Sequence, residues 1–383
     1  MILLCARLHP VLIWAHLLTG RGGFWRTSKH LAPPVNTNRA EGCRVVAVVP
    51  ARNEADVVGG AITSLLQQER PSGIHIVLVD DGSADGTALI ARTASEQIGK
   101  SDYLTVIDGQ PLRDGWTGKM WAVAQGVTAA DTLNPDYLLL TDADILHARD
   151  NVQNLIAIAE DLQCDLVSYM VKLATVSFAE KALIPAFVFF FFMLYPPTWI
   201  LSSKRKIAGA AGGCILIRPE TLRGIGGISA IRNQVIDDCA LARAVKRNGG
   251  RVWLGLTPST VSIRSYGSLA EIGRMIARTA FNQLQHSPLL LVGTVLGLFF
   301  TYLLPPILML TRQPRLVCAG GAAWLLMSAS YLPMVRFYKR SPLWSMALPG
   351  IALFYMGATV YSAFRYWRKR GGEWKGRIQD VAS

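Results

Sequence analysis

Three short polar clusters each follow an apolar run, and their residue types suit the binding and activation of a charged substrate. Pro50-Ala51-Arg52-Asn53-Glu54 follows RVVAVV, Asp80-Asp81-Gly82-Ser83-Ala84-Asp85-Gly86-Thr87 follows IHIVLV, and Asp142-Ala143-Asp144 follows DYLLLT. The glycines of the second cluster permit tight turns, and Asp85 is placed to cap a following helix. A strand–turn–helix joint accounts for Asp85 and Gly86. It does not account for the adjacent carboxylates Asp80 and Asp81, which repel unless a ligand or donor lies beside them. Asp142 and Asp144 can share a divalent cation, Mg2+ or Mn2+, because hard cations take one or two carboxylates together with phosphate oxygens. A cation held there would neutralise a diphosphate leaving group. Asp-x-Asp alone is a common pattern, and its position after an apolar strand, downstream of the other two clusters, gives it weight.

The elements that must position these clusters are legible. Strand-like runs at 44–50, 74–80, 103–108, 136–142 and 164–171 alternate with helix-like segments at 54–68, 86–98, 118–130 and 151–162. Apolar strands alternating with amphipathic helices imply an α/β domain with a mostly parallel sheet and helices on both faces. Ligands of such sheets sit at the carboxyl ends of the strands, so the rule gathers the three clusters on one edge. This alternation carries the domain from 43 to about 260, and the family resemblance described below extends it over 43–280.

The rest of the chain is apolar. Hydrophobic residues make up 51% of the 383, and three uncharged stretches, 287–311, 316–335 and 341–364, are each long enough to span a bilayer. They define an expected membrane region over 287–367, followed by a basic tail over 368–383. Residues 1–22 read as an N-terminal membrane anchor, with a secretory signal as the rival reading, and 23–42 as a linker. The net charge is +13. Such a balance suits an anionic membrane surface or anionic substrates, and without a compact basic run interleaved with aromatics nucleic acid ranks last. The six cysteines form no CxxC pair or Cys/His cluster, which argues against structural zinc and a disulfide framework.

A fourth uncharged stretch, 182–203, holds Phe187 and Phe189 to Phe192. A single crossing there would put Asp142 and Asp144 on one side of the membrane and Asp238 on the other. Pro185 and Pro196-Pro197 are expected to break the helix, so the segment is expected to lie in the interface, or to dip in and return.

RVVAVVPARNEADVV, VLVDDGSADGT, GWTGKMWAVAQG and LLLTDAD, in this order and spacing, resemble the nucleotide-sugar-binding half of family-2 glycosyltransferases. GAAGGCILIRPETLRGIGG and VIDDCALARAVKRNGGRV resemble that family's acceptor half. FWR, KALIPAFVFFFF and RTAFNQL resemble its hopene-associated bacterial branch. The resemblance implies a GT-A-type domain and a transfer of sugar from a nucleotide-sugar donor to a lipid acceptor, with inversion. It further implies that Pro50, Arg52 and Glu54 line the nucleoside pocket, that Asp80 or Asp81 bonds the base or ribose, and that Lys119 lies near donor phosphate or sugar. Asp142 and Asp144 would take donor sugar and metal. Asp238, in the pair Asp237-Asp238, would be the catalytic base. Gly212, Gly213, Arg274 and Arg278 would lie on the acceptor side. Polysaccharide-making relatives often carry Gln/Arg-x-x-Arg-Trp, whereas this chain has Arg274-Met-Ile-Ala-Arg278-Thr, which speaks against processive synthesis. The alternatives are a polysaccharide or polyprenyl-phosphate transferase and a non-catalytic membrane scaffold.

A nucleotide-sugar donor places the catalytic domain in the cytoplasm of a multi-pass protein of a bacterial-type inner membrane. Three C-terminal spans would leave the basic tail outside, against the positive-inside tendency. Pro305-Pro306 and Pro349-Gly350 are the candidate breaks of a re-entrant segment.

Overall fold

The uninterrupted apolar runs become the centre of one eight-stranded sheet. This is seen in the computed structural model, which describes residues 2–33, 35, 42–69, 73–374 and 377–380. The chain runs α1 (Ile2–Gly20), β1 (Val45–Ala51), α2 (Ala55–Leu66), β2 (His75–Asp80), α3 (Thr87–Gln97), β3 (Leu104–Asp108), α4 (Gly118–Asp131), β4 (Tyr137–Thr141), β5 (Ile145–Leu146), α5 (Asn151–Asp161) and β6 (Leu166–Lys172). It continues through α6 (Phe178–Leu194), α7 (Pro197–Leu201), β7 (Cys214–Ile217), α8 (Pro219–Gly224), α9 (Asp237–Arg247), β8 (Val252–Ser262) and α10 (Leu269–Gln283). The last elements are α11 (Pro288–Leu298), α12 (Leu304–Met309), α13 (Pro314–Phe337), α14 (Leu348–Trp367) and the ribbon β9 (Gly371–Trp374) and β10 (Arg377–Asp380).

The sheet order is β3-β2-β1-β4-β7-β6-β8-β5. The half formed by β3, β2, β1 and β4 is parallel, β7 runs antiparallel to both its neighbours, and β6 is parallel to β8. Alternate side chains of a strand face opposite ways. Val45, Ala47 and Val49 therefore join a core under α2, α3 and α5, while Val46 and Val48 join one under α4, α6 and α9.

The excursion between β6 and β7 decides where the apolar helix α6 can go. β6 ends at Lys172 and β7 starts at Cys214, opposite Thr141 at the end of β4, so the chain leaves and re-enters at the same sheet edge. The two ends of the excursion therefore lie together, whatever path α6 takes between them. Pro185, expected as a break, instead sits inside α6, whose Ser177–Glu180 capping box and buried Ile184, Val188, Phe189 and Phe192 hold the helix through it. Pro196 does end it, as expected, and α7 restarts one residue later.

α6 packs on the C-terminal helices. The Tyr355 hydroxyl donates to Leu183 O at 3.0 Å, and the Phe190 ring lies 4.9 Å from that of Tyr355 and Phe189 5.1 Å from Tyr331. Pro305 does not break its segment either. A π-turn over Phe299–Leu303 carries the helix into α12, and the Thr301 carbonyl, which Pro305 cannot bond for want of an N–H, accepts the Trp14 indole N–H at 2.9 Å. α1 is thereby fastened to the bundle. Pro349 stands in the first turn of α14, where proline is tolerated.

Among the described residues four helical stretches are long and apolar enough to cross a membrane: Phe178–Leu201, Pro288–Met309, Pro314–Phe337 and Pro342–Trp367. The expected linker is packed over its first part. Phe24 is buried 5.3 Å from the Phe189 ring, His30 is buried 5.4 Å from Phe192, and Leu31 bridges to Leu256 in β8. Its residues 34 and 36–41 lie outside the described part, as do 375–376 and 381–383 of the tail.

Candidate functional site

Three chain segments bring carboxylates to the carboxyl edge of the sheet. Asp142 and Asp144 leave β4 in a turn that is braced from behind. The Thr141 hydroxyl donates to Gly213 O at 2.8 Å, and buried His147 has Nε2 3.0 Å from Thr141 Oγ1 while its Nδ1 accepts from Asn151 Nδ2 at 2.9 Å. Burial pushes the His147 pKa down to about 3, so the ring is neutral and serves as scaffold. Asp237 and Asp238 occupy the first turn of α9, where the helix dipole favours acids. Asp238 Oδ2 accepts from Gly212 N at 2.9 Å and Oδ1 from Cys239 N at 2.6 Å.

Lys119 joins the two acidic groups. Its Nζ lies 3.0 Å from Asp142 Oδ1 and 3.1 Å from Asp237 Oδ2. It stands in the first turn of α4, after the N-cap Thr117. Gly126 lets α4 approach the sheet closely, since a Cβ there would lie 2.5 Å from Val48 Cγ1 and 2.9 Å from Val79 Cγ2. Burial alone would lower the Lys119 pKa, but Asp142 and Asp237 outweigh it and raise it. Pro50, Lys119, Asp142, Gly212, Asp237 and Asp238 line one pocket with Met120, Ile228 and Leu241. Its cavity volume is about 30 Å³, room for little more than a water molecule, and the Lys119 ion pairs lie in its lining.

A second charge group stands beside the first. One terminal nitrogen of Arg264 lies 2.7 Å from both Glu54 oxygens, and its Nε lies 3.3 Å from Asp144 Oδ2. The Ser262 hydroxyl donates to the same Asp144 oxygen at 2.8 Å. Burial raises the Asp144 pKa and the charge of Asp142 adds to that, against the opposing pull of Arg264. Arg264 is itself placed by Glu180 of α6, whose Oε1 accepts from Tyr266 N at 2.6 Å and Ser265 Oγ at 3.1 Å. Glu180 Oε2 accepts from Val176 N and Ser177 N. The apolar helix and the loop carrying Arg264 thus share one buried carboxylate.

Several expected residues sit differently. Asp80 and Asp81 do not need a ligand to coexist: Asp80 Oδ1 accepts from Ser83 N at 2.8 Å, and Asp81 Oδ2 lies 3.7 Å from Arg52, which also donates to Asp81 O. Asp81 does not line the pocket that holds Asp142 and Asp238. Glu54 is engaged by Arg264 instead of standing open to a nucleoside. Gly213 packs inward, where a Cβ would meet Ile145 and Val171. Arg274 and Arg278 are exposed on α10, and the charge of Arg278 opposes the rise that burial gives the Tyr266 pKa. Arg264, Ser262, Tyr266 and Glu180 were not anticipated. The sign that could have found them is the rule already applied to β1, β2 and β4, because Arg264 and Tyr266 follow the end of β8.

The donor chemistry fits a hard divalent cation. Asp142 Oδ2 and Asp144 Oδ1 take no hydrogen bond or ion pair among the described residues, and all the atoms offered are oxygens. No group of three or more His, Cys, Asp or Glu side chains suited to a metal occurs among the described residues. Such a cation would therefore complete its shell from substrate and water, as Mg2+ commonly does.

Burial first, then the charge of Asp237, raises the Asp238 pKa to about 6 against the pull of Lys119 and two backbone N–H groups. The resemblance noted above would make Asp238 a base, and a base must be ionised to act. The expected pH profile of kcat/KM therefore falls about tenfold per pH unit below pH 6 and is level above it; a profile flat to pH 4.5 would contradict the assignment.

Residues 46–226 match the family model "Glycosyl transferase family 2". The chain is 32% identical over 153 residues to 4,4'-diaponeurosporenoate glycosyltransferase of Staphylococcus aureus strain USA300, covering 39% of this chain and 36% of that protein. The chain thus spans about a third of the length of the curated relatives it matches. Among solved structures it resembles the mannosyltransferase PcManGT from Pyrobaculum calidifontis in complex with GDP-Man and Mn2+, at 19% identity and a TM-score of 0.53 over 93% of this chain and 98% of that one. The fold is accordingly of the GT-A type, a mostly parallel curled α/β sheet, with apolar C-terminal helices as candidate membrane spans.

Proposed function

We propose that this protein is a membrane-bound, inverting glycosyltransferase that moves a sugar from a nucleotide-diphosphate donor to a hydroxyl of a lipid. The observation that carries this is the meeting of Asp142, Asp237 and Asp238 around Lys119 in one pocket, at the same sheet edge from which apolar α6 departs. In this reading Asp238 Oδ accepts the proton of the acceptor hydroxyl. The acceptor oxygen attacks the anomeric carbon, the bond to the diphosphate oxygen breaks with its electron pair leaving on the diphosphate, and the configuration inverts. Lys119 exchanges its carboxylate partners for donor phosphate as the pocket opens. A divalent cation bound at Asp142 and Asp144 would supply charge neutralisation of the leaving diphosphate.

The acceptor is proposed to be a bulky polyisoprenoid or hopanoid-type lipid reaching the pocket from the bilayer, with the catalytic domain on the cytoplasmic face of a bacterial-type inner membrane. A relative named for diaponeurosporenoate and the apolar helices beside the pocket support a lipid acceptor. The test incubates membranes containing the protein with a panel of labelled nucleotide sugars and extracts the lipids. Label is expected in a lipid fraction from one donor and not in membranes carrying Asp238→Asn. No labelled lipid from any donor would reject the reading. Excess EDTA is expected to reduce the transfer to background and Mn2+ or Mg2+ to restore it; undiminished transfer in EDTA would remove the cation from the mechanism.

A further inference from the structure

Away from the pocket, one surface collects cations that nothing in the proposed chemistry uses. Lys172 closes β6, and the turn that follows α13 carries Lys339 and Arg340. Tyr338, fully buried, roots that turn, and its hydroxyl lies near the backbone of Leu173, the residue after Lys172. Burial first, and then the charges of Lys339 and Arg340, lower the Lys172 pKa. No acidic side chain lies within ion-pairing distance of any of the three among the described residues; Arg340 Nε donates only to Tyr338 O within its own turn. Like charges held together without counterions repel, and an external anion relieves the repulsion.

The same place exposes large apolar side chains. Val176 and Phe178 at the start of α6 are 72% and 71% exposed, and Leu343, beyond the α13 turn, is 75% exposed. These segments are fastened together. The Phe178 and Trp344 rings lie 5.7 Å apart, and the Ser177 hydroxyl donates to Tyr266 O at 2.8 Å. The turn joins two candidate spans, Pro314–Phe337 and Pro342–Trp367, which sets it at the level where a bilayer core would end. A nucleotide or free phosphate would answer the cations and leave the apolar side chains wet. A phosphate head group joined to acyl chains answers both, and basic residues with apolar neighbours at a helix end are the usual arrangement for it.

We infer that Lys172, Lys339 and Arg340, rimmed by Val176, Phe178 and Leu343, bind the phosphate head group of an anionic membrane phospholipid and so dock the site edge of the sheet against the bilayer. The surface is separate from the pocket, so this inference stands whether or not the transferase reading does.

The test offers the purified full chain in mild detergent equal amounts of phosphatidylglycerol and phosphatidylcholine and counts retained lipid by native mass spectrometry. The wild type is expected to retain phosphatidylglycerol preferentially. The K172Q/K339Q/R340Q variant is expected to lose that retention about 10-fold or more, since each basic side chain near an anionic surface contributes roughly 5-fold. Lys339→Gln alone, at an exposed turn position, should give a smaller loss in the same direction. Arg312→Gln/Arg315→Gln, at exposed positions at the opposite end of α13, should leave retention unchanged. Equal retention of the two lipids by the wild type, full retention by the triple variant, or an equal loss in the Arg312/Arg315 variant would each overturn the inference.

Discussion

Asp238→Asn is expected to reduce kcat by about 10²–10⁴-fold, the span that a positioned general base contributes. The asparagine is nearly isosteric and keeps one oxygen to accept from Gly212 N or Cys239 N. Lys119 keeps Asp142 and Asp237, so the pocket retains its ion pairs. Donor affinity should therefore change little, which isothermal titration with the donor identified by the panel would measure. The fold offers an independent check. Asp238 has a folded-state pKa of about 6, above its ordinary value. For an acid, a raised value means that the ionised form is a cost to the folded state, absent at low pH, growing as pH rises toward 6 and complete above it. At pH 7 that cost is about 2–3 kcal/mol. The inactive variant should accordingly melt at or above the wild-type temperature. An inactive variant that melts well below the wild type would mean lost structure, and an active one would end the role of Asp238 as base.

Arg264→Met is expected to damage both stability and turnover. Glu54 and Asp144 are both buried and share this guanidinium. Removing it takes a shared guanidinium from two buried carboxylates, a change that costs about 3–5 kcal/mol when a buried pair is broken. Part of that cost will be relieved by proton uptake at Asp144, whose pKa is already raised by burial. Turnover should fall by about 10²-fold or more, because Asp144 loses the partner that aims it and a misplacement of about 1 Å suffices for such a loss. Arg264→Lys keeps the charge but not the span from Glu54 to Asp144, so it should recover most of the melting temperature and only part of the rate. A merely structural role would restore rate and melting temperature together in the lysine variant. Melting curves and initial rates on the same three proteins decide between them.

How much of this was readable beforehand follows from the range of the forces involved. β1, β2 and β4 are buried on both faces and appear as unbroken apolar runs, so the sheet and its ligand edge could be placed from spacing alone. β7, with four residues, and β5, with two, are too short to carry a period. The expectation that Pro185 would end a helix failed because tertiary burial of α6 outweighed a local propensity. The first part of the stretch expected as a linker is packed for the same reason, since Phe24 and His30 have partners more than 150 residues away.

Residue type and short-range periodicity are local properties, so the α/β class, the apolar segments and the cluster Asp142-Ala143-Asp144 are legible along the chain, whereas Asp237 and Asp238 stand out only through the family resemblance. Which charge neutralises which is set by the folded geometry. Lys119 reaches Asp142 and Asp237 across the two halves of the domain, and Arg264 lies 210 residues from Glu54 in the chain yet 2.7 Å from its carboxylate. Coulombic pairing acts through space at a few ångströms and is indifferent to separation along the chain, so no spacing rule could have announced it.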